Sequence, residues 1–202
     1  INSTNKYAWS ENTGWFNFGT TEGNVHVTAS ALTGYAWGEN IGWLSLNCSN
    51  TTSCATVDYS VANNGSGSLS GYAWGENIGW VVFNPAGGGI TIDSSGNFSG
   101  YAWGENIGWI NFSGSGFGVS TDWRPECNNG IDDDGNGLTD YPADQGCSSA
   151  SDSDESGYTP PSTGGGTVLF IGSGVSVLQA TSSQNLIPFI QGFFYNKKFP
   201  SL

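Results

Sequence analysis

One decapeptide recurs four times in the first 109 residues, and no other feature of the sequence constrains the fold as strongly. Intact copies of GYAWGENIGW occupy 34–43, 71–80 and 100–109, and a diverged copy, KYAWSENTGW, occupies 6–15. The tyrosines of successive copies are 28, 37 and 29 residues apart, so the period is about 29 with one insertion after the second copy. A repeat of this length predicts a small unit used four times, because a single unit could not bury its apolar face alone.

The repeat unit has the pattern of short β-strands. Each decapeptide runs into an apolar alternation, and a second alternating segment follows, at 25–27 (VHV), 55–59 (ATVDY), 90–92 (ITI) and 118–121 (GVST). Alternating aromatic and β-branched residues predict strands, and the Gly and Asn of GEN suit a tight turn with positive φ. We therefore predict an all-β fold of three-strand units, arranged either as a β-solenoid or as a closed, pseudo-symmetric prism-like or propeller-like body.

The aromatic residues of the repeat are the predicted core. Along a strand, the Tyr and Trp of YAW project to one face and the Ala to the other. Because a buried aromatic side chain removes roughly 150–250 Å² from water, stacked rings could hold together a domain poor in Leu and Ile. The predicted core residues are Tyr7, Trp9, Trp15, Tyr35, Trp37, Trp43, Tyr72, Trp74, Trp80, Tyr101, Trp103 and Trp109.

Through this decapeptide, the segment 1–112 resembles repeat proteins of secreted or cell-surface bacterial origin that are built on YAWGENIGW motifs. The resemblance implies an extracellular bacterial setting and brings no activity with it.

The four cysteines form two close pairs, Cys48/Cys54 and Cys127/Cys147, set among polar residues. Neither pair has the spacing or the histidine partners of a zinc site. Of the three possible connectivities, the two local disulfides are geometrically easiest, and they indicate an oxidising compartment. No run of 18 apolar residues and no signal-peptide pattern occurs, so we expect a mature, secreted chain.

The acidic segment 127–147, CNNGIDDDGNGLTDYPADQGC, carries the sharpest chemical signal. Its D-x-D-x-N-G pattern presents oxygen ligands on alternate residues with a glycine at the bend, which suits calcium. The twelfth position of the loop is Ala143 instead of the Glu of an EF-hand. The predicted calcium ligands are Asp132, Asp134, Asn136, the carbonyl of Leu138, Asp140 and, in place of that Glu, Asp144.

The same segment resembles the DxDxDG loops of dockerin and thrombospondin type 3 modules, and is similar to C-x-N-G-I-D-D-D-G-D-G-L-x-D segments of secreted bacterial proteins. This resemblance implies calcium in a structural role.

Composition and motifs argue against catalysis and against anionic partners. The chain has 17 Asp and Glu against 4 Lys and Arg, and its net charge of −13 repels nucleic acids and anionic membranes. The single histidine, His26, fits a surface strand, and no hydrolase, metalloprotease or phosphate-loop motif is present. The repeated turn carboxylates fit a ladder hydrogen-bonded to neighbouring Asn better than glycosidase pairs; they are Glu11, Glu39, Glu76 and Glu105. We therefore expect no enzyme, no nucleic-acid binding and no membrane insertion.

The amino-acid composition changes twice along the C-terminal part of the chain. Residues 124–147 form the predicted calcium loop after a repeat domain at 1–123, and 148–166, rich in Ser, Asp, Gly and Pro, read as a linker. An apolar segment at 167–202 follows, and it must bury itself either on its own repeats or as a strand added to a neighbouring subunit. The residues predicted to dock are Val168, Phe170, Val175, Val177, Leu186, Phe189, Phe193 and Phe194.

Two functions remain open on this sequence. The first is an extracellular structural subunit that assembles into a filament or surface layer with other copies of itself through the C-terminal segment. The second is a glycan-binding, lectin-like surface module, because exposed Trp and Tyr can stack on sugar rings. The exposure of the tryptophans separates them: buried rings favour the structural role, and a row of exposed rings favours sugars.

Overall fold

Each copy of the decapeptide folds as a β-hairpin in the computed structural model, which describes residues 1–158. The strands are β1 (Tyr7–Ser10), β2 (Gly14–Asn17), β3 (His26–Val27), β4 (Ala31–Thr33), β5 (Tyr35–Gly38), β6 (Gly42–Ser45), β7 (Val61–Asn63), β8 (Leu69–Gly75), β9 (Gly79–Val82), β10 (Gly89–Ile92), β11 (Phe98–Gly104), β12 (Gly108–Asn111), β13 (Ser113–Gly114) and β14 (Phe117–Gly118). Short 3-10 helices lie at Cys48–Thr51 and Glu126–Asn128.

The four hairpins close into an eight-stranded antiparallel barrel in the order β1, β2, β5, β6, β8, β9, β11, β12 and back to β1. Neighbouring hairpins meet in one register, which pairs Phe16 with Gly38, Leu44 with Gly75, Val81 with Gly104 and Ile110 with Ser10. The all-β class is confirmed. Of the two architectures left open by the sequence, the closed, pseudo-symmetric one is formed, as a barrel, and the units do not stack as a solenoid.

A ring of asparagine side chains ties the hairpin turns together. In each turn, Nδ2 of the Asn donates to a backbone carbonyl in the turn of the preceding hairpin, at 2.9 to 3.0 Å. The four bonds run from Asn12 to Ile107, from Asn40 to Thr13, from Asn77 to Ile41 and from Asn106 to Ile78. A ladder of hydrogen bonds therefore does join the four turns, but it is formed by Asn side chains and backbone carbonyls. The expected Glu–Asn ladder is wrong: within residues 1–158 the four turn Glu side chains make no hydrogen bond, and all four are exposed.

The barrel interior holds Ala, larger aliphatic side chains and Phe instead of the Tyr and Trp of the repeat. The Ala of each YAW has no exposed surface and lies directly opposite a larger buried residue, in the pairs Ala8–Phe16, Ala36–Leu44, Ala73–Val81 and Ala102–Ile110. A layer of Phe18, Leu46, Phe83 and Phe112 continues the core. Outer-strand residues such as Leu32, Val61 and Ile90 complete it.

The predicted aromatic core is therefore wrong, since none of the twelve repeat Tyr and Trp residues is buried. Strand alternation places Tyr and Trp opposite Ala, as expected, but the Ala face is the one that turns inward. Closing a narrow barrel requires small side chains on the inner face, and this leaves the rings on the outer face.

Shorter strands flank the barrel beyond its hairpins. β10 pairs with the first half of β11, and β7 pairs with the first half of β8 and with β4, which pairs with β3. His26 is exposed in β3, as predicted for a surface strand residue. The predicted strand at 55–59 is wrong, because the disulfide-closed insertion forms turns there and the strand of that unit is β7.

The acidic segment extends further than the sequence suggested. Residues 1–158 form one compact unit, and Glu155 accepts backbone hydrogen bonds from inside the acidic loop. The first part of the predicted linker, 148–158, thus belongs to the folded unit. The predicted docking segment at 167–202, with all eight of its named residues, lies outside the described residues.

Candidate functional site

Each hairpin displays a cluster of three aromatic rings on the outer surface of the barrel. The two Trp of a hairpin face each other across the strands, with ring centroids 4.6 to 4.9 Å apart in edge-to-face or tilted geometry. The Tyr packs on the second Trp at 6.0 to 6.2 Å. Such pairs contribute about 0.5–1.5 kcal/mol beyond area burial, so they stabilise the hairpins on the outer face of the barrel.

These rings remain available to solvent. Five of the eight repeat tryptophans have 36% to 42% of their surface exposed, and Tyr72 reaches 51%. The four hairpins thus each expose aromatic surface, and exposed apolar patches of sufficient size mark interaction sites in monomeric proteins.

A groove of about 920 Å³ lies between the second and third hairpins. Five rings line it: Tyr35, Trp43, Tyr59, Trp74 and Trp80. Between these rings lie the polar groups of Glu22, Ser45, Thr51, Ser53, Glu76 and Asn77. Its volume falls at the upper end of the range of about 300–1,000 Å³ typical of small-molecule sites, and its mixture of rings and a few polar groups is typical of them as well.

The insertion that interrupts the repeat period builds one wall of this groove. Thr51, Ser53, Val57 and Tyr59 all belong to it, and the Cys48–Cys54 disulfide closes it, as predicted. The Tyr35 hydroxyl donates to the carbonyl of Asn50 at 2.8 Å. The second and third hairpins are thus joined by a wall that the other hairpins lack.

Hydrogen bonds hold that wall rigidly against the barrel. The Asn50 side chain bridges both backbone groups of Gly34 and reaches the Ser45 hydroxyl, and the Tyr59 hydroxyl also donates to Ser45, at 2.9 Å. Burial raises the pKa of Tyr35, and the nearby Tyr59 raises it further. Because the walls are fixed before any ligand arrives, little ordering entropy is lost on binding.

Two further grooves repeat the pairing of rings with a turn carboxylate. Tyr72, Trp80 and Trp103 line one of about 540 Å³ together with Glu105. The other, of about 420 Å³, combines Tyr7, Trp15 and Phe117 with Glu39. Three of the four turn Glu residues, Glu39, Glu76 and Glu105, therefore line aromatic grooves. The sequence did not reveal this because their position depends on barrel closure.

The acidic loop brings together part of the predicted ligand set. Nδ2 of Asn136 lies 3.1 Å from Oδ2 of Asp134, 3.0 Å from Oδ2 of Asp144 and 2.9 Å from the carbonyl oxygen of Tyr158. An amide nitrogen carries only two hydrogens, so three oxygens converge where two can be satisfied at once. This oxygen-lined position suits a hard cation.

The remaining predicted ligands take part in hydrogen bonds with backbone N–H groups of the loop. Asp132 accepts from the N–H groups of Gly135, Asn136 and Gly137, and Asp140 accepts from Asn129 and Gly130. The N–H of Leu138 donates to Oδ1 of Asn136. The N–H of Asn136 lies within hydrogen-bond distance of Oδ1 of both Asp132, at 3.2 Å, and Asp134, at 3.0 Å, whereas Asp140 accepts from the start of the loop.

Glu155 is a buried carboxylate that sequence reasoning missed. It is 1% exposed, and its two oxygens accept from the N–H groups of Asp133 at 2.7 Å and Asp140 at 2.8 Å. It lies in the predicted linker, where no pattern distinguished it from the neighbouring acids. The Cys127–Cys147 disulfide, as predicted, closes the same loop.

A scan against protein-family models, a search of curated proteins and a search of solved structures each found no match to this chain. Among residues 1–158, no helix has the length and apolar character needed to cross a membrane.

Proposed function

We propose that this protein is an extracellular carbohydrate-binding module, and that its groove between the second and third hairpins takes the sugar. The observation that carries the proposal is the outward orientation of the repeat tryptophans. Flat, apolar rings stack on the C–H faces of sugars, and neighbouring hydroxyl, amide and carboxylate groups hydrogen-bond the sugar hydroxyls. The groove supplies both kinds of group on a rigid wall.

The two disulfides support the proposal. Two disulfides close loops in the described residues, and disulfides persist in oxidising compartments, where polysaccharides are abundant. The acidic charge of the chain excludes most anionic partners, which leaves neutral or cationic glycans.

The test is binding to a panel of polysaccharides, measured by pull-down on insoluble glycans and by tryptophan fluorescence with soluble oligosaccharides. Trp43→Ala should weaken binding by about 2 kcal/mol, or roughly 30-fold, as a central aromatic contact does. Trp109→Ala is the matched control, since Trp109 occupies the same place in the fourth hairpin, is 42% exposed and lines none of these three grooves. If no polysaccharide binds, or if both variants bind like the parent, the proposal is wrong.

We further propose that calcium binds the acidic loop in a structural role. The convergence of Asp134, Asp144 and the Tyr158 carbonyl around Asn136 supports it. Asp132 adds a further carboxylate of the motif, because the N–H of Asn136 lies within reach of both Asp132 and Asp134. Calcium bound there would offset the repulsion between these carboxylates and rigidify a segment with few apolar side chains.

Self-assembly into a filament or surface layer stays a prediction, because the segment it depends on lies outside the described residues. Negative-stain microscopy in millimolar calcium would test it, with the full chain beside a chain ending at Thr163. Filaments from the full chain alone would support assembly, and discrete particles from both would contradict it.

A further inference from the structure

The groove between the second and third hairpins combines aromatic rings with two carboxylates and no basic residue. Glu22 and Glu76 line it together with the five rings, and neither Lys6 nor Arg124, the two basic residues of the described part, is among its lining residues. Lys6 lies over the ring of Tyr7, and Arg124 donates to two carbonyls of its own turn. Nothing in the groove therefore neutralises the two acids.

This arrangement suits a ligand with a positive charge more than a neutral sugar. The face of an indole carries negative potential and attracts ammonium groups, and a carboxylate beside it adds a charge partner. A neutral sugar would gain from the rings but leave Glu22 and Glu76 without a charge partner. An anionic sugar would be repelled by both carboxylates and by the net charge of −13.

We propose that this groove binds amino-sugar glycans through their protonated amines, with Trp43 and Trp74 stacking on sugar rings and Glu76 and Glu22 pairing with the ammonium groups. The inference rests on the proposed carbohydrate-binding function and narrows its ligand class. The carboxylate of Glu76 comes from the hairpin turn and that of Glu22 from the segment before β3, so the two acids come from different segments of the groove lining.

The experiment compares a glucosamine oligosaccharide with its N-acetylated counterpart of equal length, which lacks the positive charges and carries an acetyl group on each nitrogen. The salt dependence separates the effect of charge from that of the acetyl group. The titration is carried out at about pH 5, where the free amines of the sugar are protonated, as an α-amino group with an ordinary pKa of about 7.7–8.0 would also be. Calorimetry or fluorescence titration of the full chain should give glucosamine binding about tenfold tighter than N-acetylglucosamine binding. Raising the salt from about 0.1 M to about 1 M shortens the screening length from about 10 Å to about 3 Å and should remove much of that preference.

Variants then assign the charge effect to the groove. Glu76→Gln should lower affinity for the glucosamine oligosaccharide and leave the N-acetylated one unchanged, and Glu22→Gln should act in the same direction. Glu11→Gln is the matched control, because Glu11 has the same turn position in the first hairpin and lines none of these three grooves. Thermal melts of each variant confirm that the fold is retained.

The outcomes separate this inference from the proposed function. Equal affinity for both ligands, or loss of both with Glu76→Gln, would overturn the amine inference while leaving carbohydrate binding in place. Binding to other polysaccharides with none to glucosamine would overturn it as well. No binding to any glycan of the panel would overturn the proposed function itself.

Discussion

At the scale of single residues, the diverged first hairpin shows how two substitutions compensate each other. In the three intact copies, a buried Ile in the turn packs against the Gly that ends the first strand, and a Cβ on that Gly would overlap the Ile side chain. The first hairpin has Ser10 in place of the Gly and Thr13 in place of the Ile. The smaller Thr leaves room for the Ser side chain, so the exchange preserves packing but introduces a hydroxyl.

The hydroxyl of Thr13 is a weak point of the first hairpin. Oγ1 of Thr13 is buried without a hydrogen-bond partner among the described residues. Thr13→Val keeps the shape and removes the unsatisfied group, so it should raise the free energy of unfolding by about 1 kcal/mol. Denaturant titration measures the change. Thr13→Ser keeps the hydroxyl and loses a methyl group, and it should destabilise the protein.

Thr13→Ile tests the compensation directly. Alone it should overpack against Ser10, at a cost of about 1–3 kcal/mol, whereas Ser10→Gly with Thr13→Ile restores the pattern of the other hairpins. Additive effects of the two substitutions would contradict this explanation, because contacting residues are expected to be coupled.

At the scale of the secondary-structure elements, the hairpin pairs one small and one large interior residue. Ala73 and Val81 are directly opposite and have no exposed surface. Ala73→Leu should cost about 1–3 kcal/mol by overpacking, and Val81→Ala should destabilise by leaving a cavity. The double variant moves the large side chain from β9 to β8, so it should lose less stability than the sum of the two single losses, as measured by thermal and denaturant unfolding. Ala86→Leu is an exposed control and should change stability by no more than about 0.5 kcal/mol.

These elements also show which parts of the structure the sequence could predict. Alternation and turn chemistry are local, so the hairpins and the opposition of Ala to Tyr and Trp followed from the residues. Which face turns inward depends on whether the sheet closes, and the pairing of β12 with β1 is a contact between distant segments. The aromatic core was predicted wrongly for that reason, and the groove built by Tyr59 and the disulfide loop could not be foreseen.

The acidic loop also has a local part that the sequence could predict and contacts with later residues that it could not. The D-x-D-x-N-G pattern predicted that Asp132, Asp134 and Asn136 lie in one turn, because ligand spacing there is set by nearby residues, and Asp144 was expected in place of the missing Glu. Glu155 and the Tyr158 carbonyl reach the same loop from beyond the second disulfide, and their approach depends on the path of the chain.

At the scale of the whole molecule, one hydrogen bond joins the acidic loop and the segment after it to the barrel among the described residues: the Asn128 side chain donates to the carbonyl of Ser94 at 2.6 Å. The N–H of Cys127 instead donates to the carbonyl of Asp152, in the segment that follows the loop. The chain carries a net charge of −13, so crowded carboxylates in this segment oppose its compact state. A bound divalent cation should therefore stabilise the loop more than any single hydrogen bond there.

Calcium removal tests this directly. At a free calcium concentration about 100 times the Kd, binding to the native state alone adds about 2.7 kcal/mol, which for a chain of this size corresponds to a rise in Tm of about 5–10 °C. Calorimetry should show that EDTA removes this increment and that Asp144→Asn prevents it, because Asp144 is the buried carboxylate of the cluster. Glu105→Gln removes one exposed carboxylate from a hairpin turn instead and should keep the full response to calcium. A Tm that is the same with calcium and with EDTA would mean that the hydrogen bonds of Asp132, Asp140 and Glu155 suffice to hold the loop.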